Sequence, residues 1–257
     1  MSSAFVVLAL SLLLGIQPVT TDLYLPALPA LTQDLGATVA QAQLTLSGLL
    51  LAFGLSQLVW GPVSDRFGRR PVLLVGLATY VVAAVGSVLA SSMDALLVWR
   101  IAQGAAMGAS VMCARAMVRD LYSPELGARA ISKGLSGLGV IACLSIPLGG
   151  VLAELFGWRV ALAALVVFGV VTLALIVLRF EETLARPDPD ALRPATLVRT
   201  WGMVLRHPTF RAFALLAAAT YGGLFTFLAA SSFVFIKLMA LSRIHYGVLM
   251  FLMALAY

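Results

Sequence analysis

The sequence predicts an all-α polytopic membrane protein, with a six-helix bundle followed by about one and a half further helices. The first reason is composition: 61% of the 257 residues are hydrophobic and 11% are charged, whereas soluble domains have about 25% charged residues. The second is that apolar runs recur along the chain, each close to the ~20 residues that a helix needs to cross a bilayer. The third is that arginines are concentrated in every second connection between these runs.

The first three spans are predicted at residues 4–26, 40–60 and 71–91. The residues before the first span, Met1-Ser2-Ser3, lack the positive charge of a signal peptide, so we expect this span to be retained. Pro18 should bend the first span, because proline frees a carbonyl group of the preceding turn. The second span carries no charge, and the third begins at Pro71, a favourable residue at the start of a helix.

The next four spans are predicted at residues 95–118, 133–155, 158–178 and 213–236, and an eighth begins near residue 246. Between the sixth and seventh spans, charged residues and prolines indicate a solvated segment, in which residues 196–205 are compatible with an amphipathic helix at the membrane surface. The chain is therefore divided into an N-terminal transmembrane six-helix bundle (residues 1–180), a cytoplasmic central loop (181–208) and the incomplete start of a C-terminal bundle (209–257).

Charge asymmetry predicts how the chain is oriented. The connections after the second, fourth and sixth spans hold most of the arginines, whereas those after the other spans hold only Arg159, Lys237 and Arg243. Arginine and lysine accumulate in the cytoplasmic loops of membrane proteins. The N-terminus is therefore predicted to be cytoplasmic.

The connection between the second and third spans reads Gly61-Pro62-Val63-Ser64-Asp65-Arg66-Phe67-Gly68-Arg69-Arg70-Pro71. Glycine and proline are expected to make the turn, and Asp65 can pair with Arg69 four residues later. This run resembles the signature loop between helices 2 and 3 of the major facilitator superfamily. The resemblance implies a cytoplasmic gating loop formed by Gly61, Asp65, Arg66, Gly68, Arg69 and Arg70.

Two ionisable residues, Asp22 and Arg100, lie inside predicted spans, where a charge is costly unless it faces a partner or a watery cavity. If the first span is taken to end near Pro29, each lies roughly seven residues from the outer end of its span, or ~10 Å deep at ~1.5 Å per residue. Equal depth would let them face one another or a common cavity, where a proton and a cationic substrate compete for Asp22. The alternative is that Asp22 caps an interfacial turn while Arg100 extends to the membrane surface.

Further stretches resemble motifs of the same superfamily, and the resemblance covers about residues 15–247. Residues 21–29 and 114–120 look like motifs of the Bcr/CflA group of multidrug:proton antiporters, and Arg100-Ile101-Ala102-Gln103-Gly104 resembles the motif of the superfamily's fourth span. The resemblance implies that Arg100 couples transport to protons and that Asp22 is the proton and cation site. It also assigns Arg115, Arg119 and Asp120 to the inner end of the fourth span. Gly104 and Gly108 form a G-x-x-x-G pair, which predicts close helix packing.

The fifth span departs from the family pattern. Drug antiporters usually have Gly-Pro, two residues and then Gly-Gly, whereas this chain has Ile146-Pro147-Leu148-Gly149-Gly150. A bend at Pro147 and close packing at Gly149 and Gly150 are still expected.

The resemblance implies proton-driven efflux of small drugs, of the bicyclomycin and chloramphenicol type, across the bacterial inner membrane. Two alternatives stay open: a proton-coupled nutrient symporter of the same superfamily, and a non-transporting, truncated membrane protein. The family has twelve spans in two halves with the substrate between them, so this chain by itself is expected not to transport. Tyr24, Gln103 and Tyr221 are candidates for lining the cavity.

The expected partners are a small-molecule drug, protons and the lipid bilayer, and not nucleic acid, because aromatic-interleaved basic patches are absent from the sequence. No metal or other cofactor is expected, since both cysteines fall inside spans and the two histidines lie in separate loops. No nucleophile–base pair or phosphate-binding loop suggests an enzyme. The proton gradient is the expected energy source, and the oligomeric state is left open.

Overall fold

The computed structural model describes residues 2–256, and every regular element in that range is helical. The α-helices are α1 (Ser3–Asp22), α2 (Leu28–Asp34), α3 (Val39–Phe67), α4 (Arg69–Leu89), α5 (Met93–Leu121), α6 (Pro124–Leu155), α7 (Trp158–Arg179), α8 (Pro194–Arg206), α9 (Pro208–Ser232) and α10 (Arg243–Ala256). A 3₁₀ turn, Leu25–Ala27, separates α1 from α2, and a π-helical turn, Phe233–Leu238, follows α9.

Within the described range, seven stretches are long and apolar enough to cross a membrane. They are Ser3–Asp34, Val39–Phe67, Arg69–Leu89, Met93–Leu121, Pro124–Leu155, Trp158–Arg179 and Pro208–Leu238. Helix α10 is apolar but shorter. The predicted fold class, six spans plus about one and a half more, is therefore confirmed.

Several helices begin at residues whose side chains satisfy the free N–H groups of a first turn. Ser2 accepts a hydrogen bond from the Phe5 N–H at 3.3 Å, and Ser92 accepts one from Ala95 at 3.2 Å. Thr38 and Gln41 form a reciprocal capping box at the start of α3. Proline begins α6, α8 and α9, where its missing N–H costs nothing.

The turn between the second and third spans differs from the prediction. Gly61 and Pro62 do not make the turn: both lie inside α3, which continues to Phe67. The chain reverses at Gly68 alone, whose φ of 99° is a conformation that favours glycine. The reason is that α3 has 29 residues, more than the ~20 that cross the hydrocarbon core of a bilayer. Its last two turns can therefore lie outside the hydrocarbon core, and they carry the polar residues of the motif.

Two other span boundaries were predicted in the wrong place. Helix α6 begins at Pro124 and not near residue 133, because Ser123, Pro124 and Glu125 supply the signals of a helix start. The first span does not stop at Pro26. After α1 ends at Asp22, a 3₁₀ turn holding Pro26 leads directly into α2.

The helices form one bundle with two recognisable ends. The basic end is where α3 meets α4, where α5 meets α6 and where α7 finishes; the opposite end is where α4 meets α5 and α6 meets α7. Helix α5 packs on α3 and α4, α7 packs on α4, and α6 packs on α1 and α10. Buried apolar side chains form one cluster that includes Leu10, Leu73 and Met107, and a second cluster that includes Leu28, Leu96 and Leu162.

Helices α8 and α9 are poorly covered by the rest of the chain. Helix α8 has no buried residue, and its apolar side chains, among them Leu197, Trp201 and Leu205, share one face. Helix α9 is exposed for most of its length and is buried only at Ser231 and Ser232. Helix α9 is therefore covered by the rest of the chain only at its far end, whereas α10 packs along α6.

We predict that Gly104→Ala lowers the free energy of unfolding by about 1–3 kcal/mol, because overpacking a tight contact has that cost. A methyl group at Gly104 would lie 2.9 Å from the carbonyl carbon of Leu49, where α5 crosses α3. Denaturant unfolding in mixed micelles, followed by circular dichroism, measures the change. Gly54→Ala is the matched control, because nothing lies within 4 Å of a methyl group there. Equal loss in both variants would contradict the close contact.

Candidate functional site

Arg100 lies in α5 and is completely buried. Its Nη2 donates a hydrogen bond to the Thr20 carbonyl of α1 at 2.8 Å, and its Nη1 donates to Gln103 Oε1 at 2.8 Å. The guanidinium carbon lies 4.4 Å from the ring centre of Tyr24, which is the geometry of a cation–π contact. The predicted alternative, in which Arg100 extends to the membrane surface, is therefore wrong.

Two hydroxyl pairs extend this contact to the neighbouring helices. The Tyr24 hydroxyl lies 2.7 Å from Thr45 Oγ1 on α3, and the Tyr80 hydroxyl of α4 lies 2.7 Å from Thr20 Oγ1. Arg100 thus belongs to a buried polar cluster shared by α1, α3, α4 and α5. Among the described residues no carboxylate pairs with it, so a carbonyl dipole, an amide oxygen and an aromatic face stabilise the charge.

Asp22 lies on the other side of α1 from this cluster. The backbone stays in the right-handed helical conformation through Leu23 and Tyr24, beyond the end of α1. Thr20 and Tyr24, four residues apart, therefore point to the same side, whereas Asp22, midway between them, projects to the opposite side. Its Oδ1 accepts a hydrogen bond from the Thr21 hydroxyl at 2.7 Å, and its side chain is half-buried. No ion pair or hydrogen bond joins Asp22 to Arg100 in the described part of the chain. The expected face-to-face arrangement is absent, because α1 separates the two charges.

The three candidate cavity residues have different positions. Tyr24 and Gln103 are completely buried and contact Arg100, so they do not line an open cavity in this structure. Tyr221 is 59% exposed on α9 and stacks on Phe225. The structure therefore brings Tyr24 and Gln103 together and leaves Tyr221 apart from them.

A second polar cluster lies at the basic end, and Arg69 is its centre. The Arg69 side chain is 1% exposed, and its Nη2 lies 2.7 Å from Asp65 while its Nε lies 2.9 Å from Asp120. Its Nη1 donates to Ser64 Oγ at 2.6 Å. This network joins α3, α4 and α5, and it includes the pairing of Asp65 with Arg69 that the four-residue spacing predicts.

Glu182, which follows α7, completes this network. Its carboxylate accepts hydrogen bonds from the backbone N–H groups of Arg69 and Arg70 at 2.9 and 3.0 Å, and from those of Thr183 and Leu184 at 3.0 and 2.9 Å. Partial burial acts to raise the pKa of Glu182, but the N–H donors outweigh it and hold that pKa below its usual value. Glu182 thus caps the first turn of α4, where the helix dipole favours an anion.

The other basic-end residues lie around this network. Arg66 donates to the Pro189 carbonyl, and Arg70 Nη2 donates to the Val177 carbonyl at 3.2 Å. Arg119 lies 3.6 Å from Asp65. Arg115 and Gly61 line a shallow pocket beside Arg69. The residues of the loop motif and those at the end of α5 therefore lie together, and most of them bind one another or the segment that follows α7.

The fifth-span motif lies in the middle of α6 and acts through its backbone. The Cα of Gly149 faces the Leu23 carbonyl of α1, and Gly150 faces the Arg243 carbonyl at the start of α10. Pro147 lies against Gly247 of α10, where a methyl group would lie 2.7 Å from its Cα. The close packing expected of Gly149 and Gly150 is present, and it brings α1 and α10 to the same part of α6.

Sequence reasoning missed several residues of these clusters. Thr20, Thr45 and Tyr80 are ordinary polar residues within apolar spans, and nothing in their spacing links them to Arg100 before the helices are packed. Glu182 is one of several charged residues in the segment after the sixth span, and nothing in the sequence links it to the start of α4, which lies more than 110 residues earlier. No group of three or more His, Cys, Asp or Glu side chains in the described range could hold a metal.

We predict that Gly68→Ala destabilises the protein more than Gly157→Ala. Both glycines have positive φ, 99° and 88°, so each substitution carries about 1–3 kcal/mol of backbone strain. Only at Gly68 would the added methyl group also crowd the Glu182 carboxylate, at 3.0 Å from its carboxyl carbon. Thermal unfolding in detergent compares the two variants. A larger loss for Gly157→Ala would contradict the proposed contact.

The Glu182 network also predicts a pH dependence. Because the pKa of Glu182 is lower in the folded chain than in the unfolded chain, its contribution to stability is complete above the unfolded value, about 4.3, and is lost as pH falls through the folded value. Glu182→Gln should therefore be less stable than the unchanged protein near neutral pH, with a gap that narrows in acid. Glu125→Gln, at an exposed carboxylate of α6, is the control. A gap that stays constant with pH would contradict the prediction.

Similarity to known proteins agrees with this architecture. Residues 10–257 match the Major Facilitator Superfamily. The chain is 32% identical over 238 residues to an uncharacterised MFS-type transporter of Bacillus subtilis, covering 89% of this chain and 58% of that protein. It is 33% identical over 239 residues to a chloramphenicol resistance protein of Pseudomonas aeruginosa, covering 91% of this chain and 55% of that protein.

Two further similarities extend the comparison. Multidrug resistance protein D of Escherichia coli is 28% identical over 95% of this chain and 61% of its own length. The solved structure of a bacterial homologue of the human lysosomal transporter Spinster, inward-facing and unoccupied, has a TM-score of 0.77 at 20% identity, over 98% of this chain and 59% of that one. At that identity the likeness concerns the fold alone.

The chain thus spans between about half and two thirds of the length of these relatives. The match to the family covers residues 10–257, which is nearly all of the chain. The chain belongs to the Major Facilitator Superfamily.

Proposed function

We propose that the full-length protein exports small drugs across a bacterial inner membrane in exchange for protons, with its N-terminus and its basic end in the cytoplasm. The relatives named for resistance to chloramphenicol and to multiple drugs support the drug class. The concentration of arginine at the basic end supports the orientation, because positive loops stay on the cytoplasmic side.

The observation that carries the proposal is the position of Asp22. It is an acid at the end of an apolar helix, half-buried, and without a cationic partner among the described residues. An ionised carboxylate within the apolar part of a membrane protein raises the free energy unless it faces a cation or a water-filled cavity. A proton or a cationic drug can each neutralise it, but not both at once. Competition of this kind, combined with alternating exposure of the site to the two sides of the membrane, would exchange a proton for a drug.

Arg100 has a different part in this proposal. Its hydrogen bond to the Thr20 carbonyl and its contact with Tyr24 hold the segment of α1 on both sides of Asp22. We assign Arg100 the role of positioning Asp22 and of providing a fixed positive charge on the opposite side of α1. Arg69, Asp65, Asp120 and Glu182 would close the cytoplasmic end in one conformation and separate in the other.

The test uses the full-length gene product in liposomes. Asp22→Asn should abolish drug-elicited proton release from the purified protein and drug transport driven by a pH gradient, because an amide cannot exchange a proton near neutral pH. Proton release is followed with a pH indicator dye in weak buffer. Asp94→Asn, which changes an exposed carboxylate in the first turn of α5, is the control and should behave as the unchanged protein. Undiminished proton release from Asp22→Asn would refute the role of Asp22.

A further inference from the structure

We infer that Tyr246 and Ser232, from the start of the second bundle, complete the Asp22 site, and that the completed site binds an organic ammonium group through its N–H donors. This inference rests on the proposed function and specifies its substrate class. It is argued from the packing of α1, α6, α9 and α10.

The backbone of α6 brings α10 and α1 together. Gly149 packs against the carbonyl group of Leu23, the residue directly after Asp22. Gly150 packs against the carbonyl group of Arg243, which lies three residues before Tyr246. Because these carbonyl groups lie against consecutive residues of α6, the end of α1 and the start of α10 meet at the same level of α6. Leu23, Phe233 and Tyr246 accordingly belong to one cluster of buried side chains, which places Tyr246 and the residue after Ser232 in the same cluster as the residue after Asp22.

Tyr246 presents an acceptor to this site. Its side chain is completely buried, and its hydroxyl lies 2.7 Å from Ser231 Oγ. Ser231 uses its own proton to donate to the Leu228 carbonyl at 2.8 Å. The Tyr246 hydroxyl must therefore be the donor in the Tyr246–Ser231 pair, and the lone pairs of its oxygen are left to accept from something else.

Ser232, the next residue of α9, provides a second unused group. It is completely buried, and its Oγ has no hydrogen-bond partner within residues 2–256. Leaving a buried hydroxyl unsatisfied is costly. We therefore expect a ligand or a water molecule to form the missing hydrogen bond with the Ser232 hydroxyl, next to the Ser231–Tyr246 pair.

The groups around the site favour a cation that donates hydrogen bonds. Asp22 supplies negative charge and acceptor oxygens, Tyr246 supplies an acceptor, and Ser232 supplies a hydroxyl. Arg243, the basic residue one turn away on α10, is directed at α6: its Nη1 donates to the Ala153 carbonyl at 3.0 Å and lies 3.7 Å from Glu154, while its Nε has no hydrogen-bond partner within residues 2–256. Arg100 is behind α1. An ammonium group has three N–H donors and one positive charge, which match these acceptors.

The experiment compares two fluorescent ligands that differ only in N–H donors: dansylcadaverine and its N,N,N-trimethylammonium analogue, both cations at neutral pH. Binding to the purified full-length gene product is measured by fluorescence titration for Tyr246→Phe, with Tyr122→Phe as the control. The Tyr122 hydroxyl makes no hydrogen bond within the described residues, so this control removes a hydroxyl without a role. Ser232→Ala is the second variant.

Tyr246→Phe should weaken dansylcadaverine binding about tenfold or more, the value of one hydrogen bond to a charged donor, and should leave the trimethyl analogue unchanged. Ser232→Ala should weaken the same ligand selectively. Equal loss for both ligands would mean that Tyr246 only supports the fold, and no loss would mean that it is outside the site. Failure of the unchanged protein to bind dansylcadaverine would also overturn the inference. If Asp22→Asn abolishes proton release while Tyr246→Phe does not separate the two ligands, only this inference fails and the proposed exporter stands.

Discussion

A helix bundle in a membrane has no water with which to solvate its buried charges, and this constraint determines how the polar residues of the chain are arranged. Arg100 obtains its hydrogen bonds from Thr20 and Gln103 and rests on the ring of Tyr24. Arg69 obtains its bonds from Asp65 and Asp120. Each guanidinium adds polar contacts to helices that otherwise pack mainly through apolar side chains, so the two cations link the first four spans, α1, α3, α4 and α5, at two different depths.

The Arg69 and Arg100 clusters differ in how easily their polar contacts can be broken. The Arg69 network consists of ion pairs near the helix ends, where water can replace a partner when the helices separate. The Arg100 side chain is completely buried. Its hydrogen-bond partner on α1 is the backbone carbonyl of Thr20, which cannot change its protonation state. A conformational change is therefore less costly at the basic end than at Arg100. In the proposed exporter, α1 would then move together with Arg100 and carry Asp22 with it.

Hydropathy predicted the number of spans, and motif spacing predicted the pairing of Asp65 with Arg69 and the close approach at Gly149 and Gly150, because the first depends on local composition, the second joins residues only four positions apart, and the third needs only residues without a side chain. Three others could not be predicted in this way. The reversal at Gly68 in place of Gly61 depends on how far α3 extends beyond the apolar run. The separation of Asp22 from Arg100 depends on the rotation of α1 about its axis, which equal depth does not determine. The joining of Tyr80 to Thr20 depends on which helices become neighbours.

Helix α6 touches α1 and α10 through glycine, with carbonyl groups lying against its backbone. Side chains between helices usually absorb small displacements by changing rotamer, but Gly149 and Gly150 have none with which to do so. Displacement of the Leu23 or the Arg243 backbone along α6 would therefore either push a carbonyl group against α6 or open a gap there. In the proposed exporter, this contact would couple a movement of α10 to a movement of α1 through α6.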